Sequence, residues 1–197
     1  MSGADRWLRA LGDRDLPSRI GVEGGFYRHA RTFKHDFFAA TGLYRSEDGS
    51  LVVLKVGRQA DLAGFSMGWV GRWLAGREAG VYRRMGGVAG VPGFVGMWGD
   101  CGIVHAYVPG HPLARGEGVG DSFFPDLEGL IEAMHGRGVA YVDLNKRENV
   151  IVGDDGRPYL IDFQISCWWP EGWGRPPRWF GWVLERFKRG DWYHFVK

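Results

Sequence analysis

Apolar and polar positions in the first part of the chain follow the pattern of antiparallel strands. Aromatic and β-branched residues fill much of the stretch 25–56, and the polar segment Ser46–Ser50 interrupts it at an Asp-Gly pair. An Asp-Gly pair between apolar runs is a strong signal for a β-hairpin. Two further apolar runs, Phe94–Trp98 and Gly102–Val108, flank a short turn. These runs predict two or three strands joined by hairpins, followed by a second strand pair.

Helical spacing of apolar residues appears in four other stretches. Residues 4–12 predict a short helix, and residues 121–137 predict an amphipathic one. Residues 61–85 have aromatic residues at every fourth position, but five glycines fall among them. Because each glycine costs about 1 kcal/mol relative to alanine in a helix, we expect a broken helix or two helices there. A fourth helix is predicted over residues 178–189.

The segment Pro109–Pro112 divides these patterns. Strands precede it and helices follow it, which favours an α+β protein with two lobes. We expect an N-terminal lobe of a sheet plus a helix over residues 1–108, and a mainly helical C-terminal lobe over residues 109–197. Within the second lobe, a polar loop over 143–149 leads into a short hairpin that ends at Asp162.

Composition and charge exclude several classes of protein to which the chain could belong. The 197 residues include 33 glycines without a triplet period, which excludes collagen. Lys and Arg exceed Asp and Glu by 25 − 23 = +2, too little for a nucleic-acid-binding protein. Two cysteines make no disulfide framework or C-x-x-C pair, and the sequence has no signal-peptide pattern or long apolar run. We expect a cytoplasmic protein that binds no nucleic acid.

Residues suited to phosphoryl transfer follow one another along the chain. This chemistry needs a cation on the phosphates, hard oxygen ligands for a metal and a carboxylate that orients a hydroxyl. The sequence supplies them in the order Lys55, Glu78, Asp143, Asn149 and Asp162. Each also suits a solvated surface or a turn. Their order and their strand, loop and hairpin context favour a site over coincidence.

Three short motifs resemble those of the protein-kinase-like superfamily. Val53-Leu54-Lys55 resembles the V-A-I-K strand, and Asp143–Asn149 resembles the catalytic loop H-R-D-L-x-x-x-N. Asp162-Phe163-Gln164 stands where that superfamily has D-F-G. The resemblance spans about residues 25–165 and implies a two-lobed protein-kinase-like fold that binds ATP and Mg²⁺.

The same resemblance implies a role for each site residue. Asp143 is expected to accept the proton of the acceptor hydroxyl, while Asn149 and Asp162 bind Mg²⁺. Lys55 is expected to bind the α- and β-phosphates of ATP, with Glu78 as its partner. Ala106 and Tyr107 are expected at the hinge that binds adenine. Lys146 either contacts the γ-phosphate or is solvated.

The chain also departs from the superfamily pattern. The catalytic loop is one residue longer than usual, and Tyr141-Val142 replaces His-Arg, so regulation through a phosphorylated activation loop is not expected. No Gly-rich motif precedes Lys55. We expect the turn between the first two strands at Thr32–Asp36, a polar and basic loop in which Lys34 adds charge for phosphates.

The second lobe resembles that of reduced kinases. After Asp162 there is no A-P-E element, and too little chain remains for a peptide-docking platform. Such a shortened C-lobe is similar to atypical bacterial kinases, including the lipopolysaccharide (Kdo/heptose) sugar kinases and the RIO-like group. This resemblance implies a small-molecule or glycolipid acceptor, a sugar or lipid-linked sugar. Two alternatives remain: a pseudokinase or nucleotide-binding module without turnover, and an atypical Ser/Thr protein kinase.

Tryptophans are concentrated near the end of the sequence, where six follow position 167. On the helix predicted from residue 178, aromatic residues share a face and several arginines flank them. We expect this helix to pack on the small second lobe, with the tryptophans closing its core. The alternative is a peripheral contact with the inner face of a membrane, since basic helices with tryptophan bind such surfaces.

Overall fold

The computed structural model describes residues 9–61 and 65–196. It divides into two compact units. The first runs to Ala79 and includes Phe94–Tyr107, and the second comprises Gly80–Gly93 and Val108–Lys197. The sequence placed residues 80–93 in the first lobe, but they belong to the second unit. Their backbone explains this, because the Gly90 carbonyl accepts a hydrogen bond from the Leu160 N–H at 2.8 Å.

The first unit is built on one antiparallel sheet in the order β1-β2-β3-β4-β6-β5. Its strands are β1 Arg19–Val22, β2 Gly25–His35, β3 Ala39–Ser46, β4 Leu51–Gly57, β5 Phe94–Trp98 and β6 Gly102–Ala106. The predicted hairpin at Ser46–Ser50 is confirmed, with β3 and β4 paired through Arg45 and Leu51. The sequence analysis did not predict β1.

The second unit combines short sheets with helices. Its strands are β7 Gly110–Pro112, β8 Val139–Ala140, β9 Val150–Gly153, β10 Pro158–Leu160 and β11 Cys167–Trp168. The helices of the chain are α1 Gly68–Arg84, α2 Phe123–Gly136 and α3 Arg178–Phe195, with a 3₁₀ turn at Arg147–Asn149. Strands β9 and β10 form the predicted hairpin, β7 extends it, and β11 pairs with β8. Helix α1 contributes to the first unit up to Ala79 and to the second from Gly80.

Strand β4 lies in the interior of the first unit. It pairs with β3 on one side and β6 on the other, and all of its residues after Leu51 are buried. Leu54, Tyr44 and Val104 are fully buried in the same core. A strand paired on both edges and covered by apolar side chains excludes water, so any charged residue in it needs a partner.

Helix α1 is continuous over residues 68–84, so the predicted break is wrong. Two of its glycines have packing roles. A Cβ at Gly71 would collide with the backbone of Arg58, and one at Gly80 would collide with the indole of Trp168. Close approach of these neighbours compensates for the low helix propensity of glycine, which sequence pattern alone could not show.

Helix α2 confirms the amphipathic pattern predicted for residues 121–137. Its buried residues are Phe123, Leu127, Leu130, Ile131 and Met134. They recur at the three- and four-residue spacing of one helix face, and this face supplies much of the core of the second unit.

The turn between β2 and β3 differs from the prediction. Strand β2 continues to His35, and the turn follows at residues 36–38. One carboxylate oxygen of Asp36 accepts the N–H groups of Phe38 and Ala39, both at 2.9 Å. Lys34 lies on the strand, with its Nζ 2.7 Å from the other Asp36 oxygen. An aspartate that caps its own turn favours a tight hairpin over a longer basic loop.

Helix α3 packs on the second unit as predicted, where it contacts β8, β11 and α2, but several of the C-terminal tryptophans do not close the core. Trp168 is buried, but Trp173, Trp179 and Trp182 are 68%, 64% and 73% exposed. Helix α3 begins at Arg178 as predicted and extends to Phe195, and Asp191 is its only fully buried residue. The side of α3 that carries Trp179 and Trp182 is therefore exposed, while the side that carries Asp191 is buried.

At the other end of the chain, residues 4–8 of the predicted N-terminal helix lie outside the described residues, and residues 10–13 form a turn. Across residues 9–61 and 65–196, no helix is both long and apolar enough to cross a membrane.

Candidate functional site

The structure brings the predicted site residues together in two groups, one in each unit. The first group is centred on Lys55 in β4. Its Nζ lies 3.1 Å from Oε1 and 3.0 Å from Oε2 of Glu78, which projects from α1. Their side chains are 10% and 1% exposed. An isolated charge in this core would be costly. The two opposite charges therefore stabilise each other, and the ion pair fixes the Lys55 ammonium group in place.

Ala106 and Tyr107 lie at the end of β6 in the same unit. The Tyr107 N–H donates to the Leu51 carbonyl at 3.1 Å, which continues the β4–β6 ladder by one residue. The ring of Phe33, on β2, is stacked on that of Tyr107, with centroids 6.3 Å apart and an interplanar angle of 17°. Phe33 therefore contacts one of the two predicted hinge residues, although the sequence pattern did not point to it.

Several groups of the β2–β3 turn that could bind phosphate are already engaged within the protein. Asp36 already occupies two of its backbone N–H groups and neutralises Lys34. Arg58 holds the turn from beneath, donating to the Phe37 carbonyl at 2.9 Å with its guanidinium 4.0 Å from the Phe37 ring centre. Burial lowers the pKa of Arg58 from its usual value. The turn is therefore a fixed structural corner, and Lys34 is not placed as a phosphate ligand.

The second group is centred on Asp143 in the loop after β8. Asn149 Nδ2 donates to Asp143 Oδ2 at 3.0 Å, and Lys146 Nζ lies 2.8 Å from the same oxygen. Asp143 and Asn149 are buried, whereas half of the Lys146 side chain is exposed. The hydrogen bond to Asp143 raises the pKa of Lys146, with the charges of Asp143, Asp162 and Glu148 adding to the effect. Both contacts are made to Oδ2, so Oδ1 is the oxygen left to accept a proton.

Asp162 follows β10 and approaches the same loop. Its φ of 62° lies in the left-handed region, which is unusual for a residue other than glycine. The neighbouring residues hold it there, because the Ile161 N–H donates to the Asn149 carbonyl at 3.1 Å and Phe163 packs edge-on against Tyr141. A strained backbone held by its surroundings is typical of functional positions.

A residue outside the predicted set supports the loop from below. Asp191 in α3 is fully buried, and its carboxylate accepts the N–H of Tyr141 at 2.8 Å and that of Val142 at 2.7 Å. His135 Nε2 lies 2.8 Å from the same carboxylate. These bonds secure the two residues directly before Asp143, including Val142, whose φ is 74°. The only sequence signal for this role was an acidic residue within an aromatic stretch.

The second group also fits a hard metal ion. Asn149 turns its amide nitrogen toward Asp143, which leaves its carbonyl oxygen as a donor, and Asp162 supplies a carboxylate. Amide and carboxylate oxygens are the donors Mg²⁺ prefers, and it is usually held by one or two protein groups together with phosphates. The two residues therefore match the chemistry of a magnesium site.

Comparison with known proteins gives a match at the level of structure. No family model and no curated protein matches the chain. Two structures of the Rio2 kinase from Chaetomium thermophilum match it at TM-scores of 0.60 and 0.61, with 19% and 17% sequence identity. One of them is a complex with ADP, Mg²⁺ and phosphoaspartate. The match covers 98% of this chain but 56% and 57% of the two Rio2 chains, so this chain spans little more than half their length. The chain has a protein-kinase-like fold.

Proposed function

We propose that this protein is an ATP- and Mg²⁺-dependent phosphotransferase that transfers a γ-phosphoryl group to a hydroxyl. The observation that carries the proposal is the state of Asp143. Its carboxylate is buried, oriented through Oδ2 by Asn149 and Lys146, and left with Oδ1 for a substrate proton. This is the arrangement expected of a group that orients an attacking hydroxyl.

Each residue has a part in that reaction. The acceptor oxygen attacks the γ-phosphorus, the bond from that phosphorus to the leaving ADP oxygen breaks, and the hydroxyl proton passes to Asp143. Lys55, held by Glu78, supplies a fixed positive charge for the α- and β-phosphates. Asn149 and Asp162 would hold Mg²⁺, which would supply positive charge to neutralise the phosphates. Ala106 and Tyr107 bind the adenine edge.

Turnover of ATP by substituted proteins tests this assignment. We expect Asp143→Asn to lower the rate of phosphoryl transfer by about 10²- to 10⁴-fold, the usual contribution of a positioned acid or base. Asp162→Asn is expected to weaken the dependence of the rate on Mg²⁺. Asp154→Asn, an exposed residue of the β9–β10 turn, is the matched control and should retain full activity. Equal turnover in all three variants and the parent would refute the proposal.

We also propose that the acceptor is a sugar or lipid-linked sugar, within a branch similar to the lipopolysaccharide sugar kinases. This extends the sequence resemblance to those kinases. Phosphorylation of a generic protein substrate in place of sugars and glycolipids would instead favour the atypical Ser/Thr protein kinase.

A pseudokinase is the second candidate, and one observation favours it. The β2–β3 turn at residues 36–38 contains no glycine, and Asp36 already accepts the backbone N–H groups of Phe38 and Ala39, which differs from a glycine-rich loop that cradles phosphates. A thermal-shift titration with Mg·ATP, run beside the turnover assay, separates the two candidates. Stabilisation by the nucleotide without any transfer to water or acceptors would favour the pseudokinase.

We propose, finally, that the exposed face of α3 binds an anionic membrane surface. Trp179 and Trp182 are exposed on this helix, and Arg178, Arg186 and Arg189 flank them. The one acidic residue of the exposed face, Glu185, is paired with Lys188 at 2.8 Å, so the arginines set the charge of the face. Tryptophan prefers the membrane interface, and each basic residue near an anionic surface contributes about 1 kcal/mol.

Vesicle sedimentation tests the membrane proposal. The protein should bind vesicles that contain phosphatidylglycerol, bind pure phosphatidylcholine vesicles weakly, and be released by salt. Replacing Trp179 and Trp182 with alanine should abolish binding. Trp73→Ala is the control, since this tryptophan of α1 is also more than half exposed. The proposal fails if the control and the double variant sediment alike.

A further inference from the structure

Two adjoining cavities of the second unit run along the catalytic loop. One has a volume of about 630 Å³ and the other about 700 Å³. They share Leu113, Ala114, Arg115, Asn145 and Arg147 in their walls. We call the combined cavity the loop groove. Cavities of this size accommodate small ligands, and neither the motifs nor the structural comparison assigns a ligand to this one.

The groove is linked to Asp143 through its own wall. Leu144, Asn145 and Lys146, the three residues that follow Asp143, all line it. The Lys146 ammonium lies 2.8 Å from Asp143 Oδ2. A molecule in the groove would therefore contact the three residues that follow the group that we assign to the acceptor hydroxyl.

The floor of the groove is apolar. Leu127 and Leu144 are buried beneath it, and Phe124 and Phe195 add aromatic surface. The side chain of Phe124 is 49% exposed, so part of its ring is open to contact with a ligand. Covering it would remove apolar surface from water at about 25 cal/mol per Å².

The rim of the groove presents two exposed arginines, Arg115 and Arg147. Lys146 is also exposed there, but its ammonium is paired with Asp143 Oδ2. Of the two acidic residues of the rim, Glu117 is engaged by His111 Nε2 at 2.6 Å and by the Ala114 N–H at 2.8 Å, and Glu148 is exposed. Hydrogen bonds from His111 and Ala114 also lower the pKa of Glu117. Guanidinium groups bind phosphate and carboxylate oxygens in a bidentate manner.

We propose that the loop groove is the acceptor site and that the acceptor is an anionic amphiphile. This molecule carries the hydroxyl to be phosphorylated, a phosphate or carboxylate for Arg115 and Arg147, and an apolar part for the floor. The inference rests on the proposed function for the chemistry at Asp143, but the binding itself requires no nucleotide.

Binding of short-chain lipids by calorimetry tests the groove. Dihexanoyl phosphatidylglycerol, kept below its micelle concentration, has all three features. Glycerol 3-phosphate lacks the apolar part, and dihexanoylglycerol lacks the anion. We expect the phospholipid to bind, glycerol 3-phosphate to bind more weakly, and dihexanoylglycerol not to bind detectably. Equal affinity for the charged and uncharged lipids would overturn the proposal, as would no binding of either anion.

Substitutions locate the binding. Arg115→Gln and Arg147→Gln should each weaken phosphatidylglycerol binding about tenfold, the loss expected for one charged hydrogen-bonded contact. Arg157→Gln, an exposed arginine of the β9–β10 hairpin outside the groove, should bind as the parent does. Equal affinity of all three variants and the parent would place the ligand elsewhere and refute the groove.

A final arm separates this inference from the proposed function. Asp143→Asn should still bind the lipid, because the anion and apolar contacts do not involve its carboxylate. Lipid binding without phosphoryl transfer by the parent would sustain the groove and defeat the phosphotransferase. Phosphoryl transfer at a rate that Arg115→Gln does not change would support the phosphotransferase and refute the loop groove as its acceptor site.

Discussion

Removing the buried carboxylate of Asp191 is the most direct test of how the loop that contains Asp143 is supported. Asp191 is fully buried and accepts three hydrogen bonds of 2.7–2.8 Å, two of them from backbone N–H groups of Tyr141 and Val142. In Asp191→Ala these N–H groups lose their acceptor, at a cost of about 1–3 kcal/mol each. Removing one partner of a buried charged network typically costs about 3–5 kcal/mol. We expect a loss of that size in the free energy of unfolding.

Thermal unfolding followed by circular dichroism measures this loss. For a protein of this length, about 3–5 kcal/mol corresponds to a fall of about 6–20 °C in Tm. Glu132→Ala removes an exposed carboxylate from the middle of α2 and should stay within about 0.5 kcal/mol of the parent. Asp191→Asn keeps the shape and one acceptor oxygen, so its loss should lie between the two.

The result that would refute this reasoning is equal stability. If Asp191→Ala unfolds within about 1 kcal/mol of Glu132→Ala, the three hydrogen bonds do not secure the loop. A second readout concerns the site itself. For the phosphotransferase activity proposed above, Asp191→Asn should lower kcat with little change in KM for ATP, because it loosens the segment before Asp143 while leaving the first unit intact.

Three further predictions concern other parts of the two units. Gly80→Ala should destabilise the protein by about 1–3 kcal/mol through overpacking in the core, whereas Gly76→Ala, whose Cβ meets nothing within 4 Å, should stabilise it by about 0.5–1 kcal/mol in urea unfolding. Lys55→Met should cost about 3–5 kcal/mol, since it removes one partner of a buried ion pair; adding Glu78→Leu should restore much of that loss, and strictly additive effects would contradict the pairing. The folded-state pKa of Lys146 is raised, so its contribution to stability is complete below its unfolded pKa of about 10.4 and is lost only as the pH rises through the higher folded value. The stability difference between the parent and Lys146→Met should therefore stay constant from neutral pH to mildly alkaline pH and shrink above it, and a change near neutrality would argue against the ion pair.

Local sequence pattern was sufficient to predict several secondary-structure elements and to place the candidate site residues in order along the chain. The apolar spacing of α2 names the same buried face that the structure shows. The Asp-Gly turns mark the hairpins because their conformation is set by the residues within the turn. The kinase-like motifs needed only the identity and spacing of residues such as Lys55, Asp143 and Asp162, and the fold they imply agrees with the structural match.

Other features depended on residues far apart in the sequence. The continuity of α1 through Gly80 depends on Trp168, 88 positions later, and propensity cannot include such a neighbour. The β2–β3 turn moved to residues 36–38 because Asp36 caps it and Arg58 secures it. Local sequence described this segment only as polar and basic.

Residue identity and local pattern account for the chemistry available to this protein: a lysine and a glutamate in one region, and two aspartates and an asparagine in another, with the turn signals that position them. Long-range packing sets how that chemistry is supported and what surrounds it. Asp191 supports the residues before Asp143 across about 50 positions, Trp179 and Trp182 of α3 remain exposed, and the loop groove is assembled from four separate stretches of chain. Burial, hydrogen-bond satisfaction and cavity shape arise from such long-range contacts, whereas periodicity and turn chemistry depend on near neighbours.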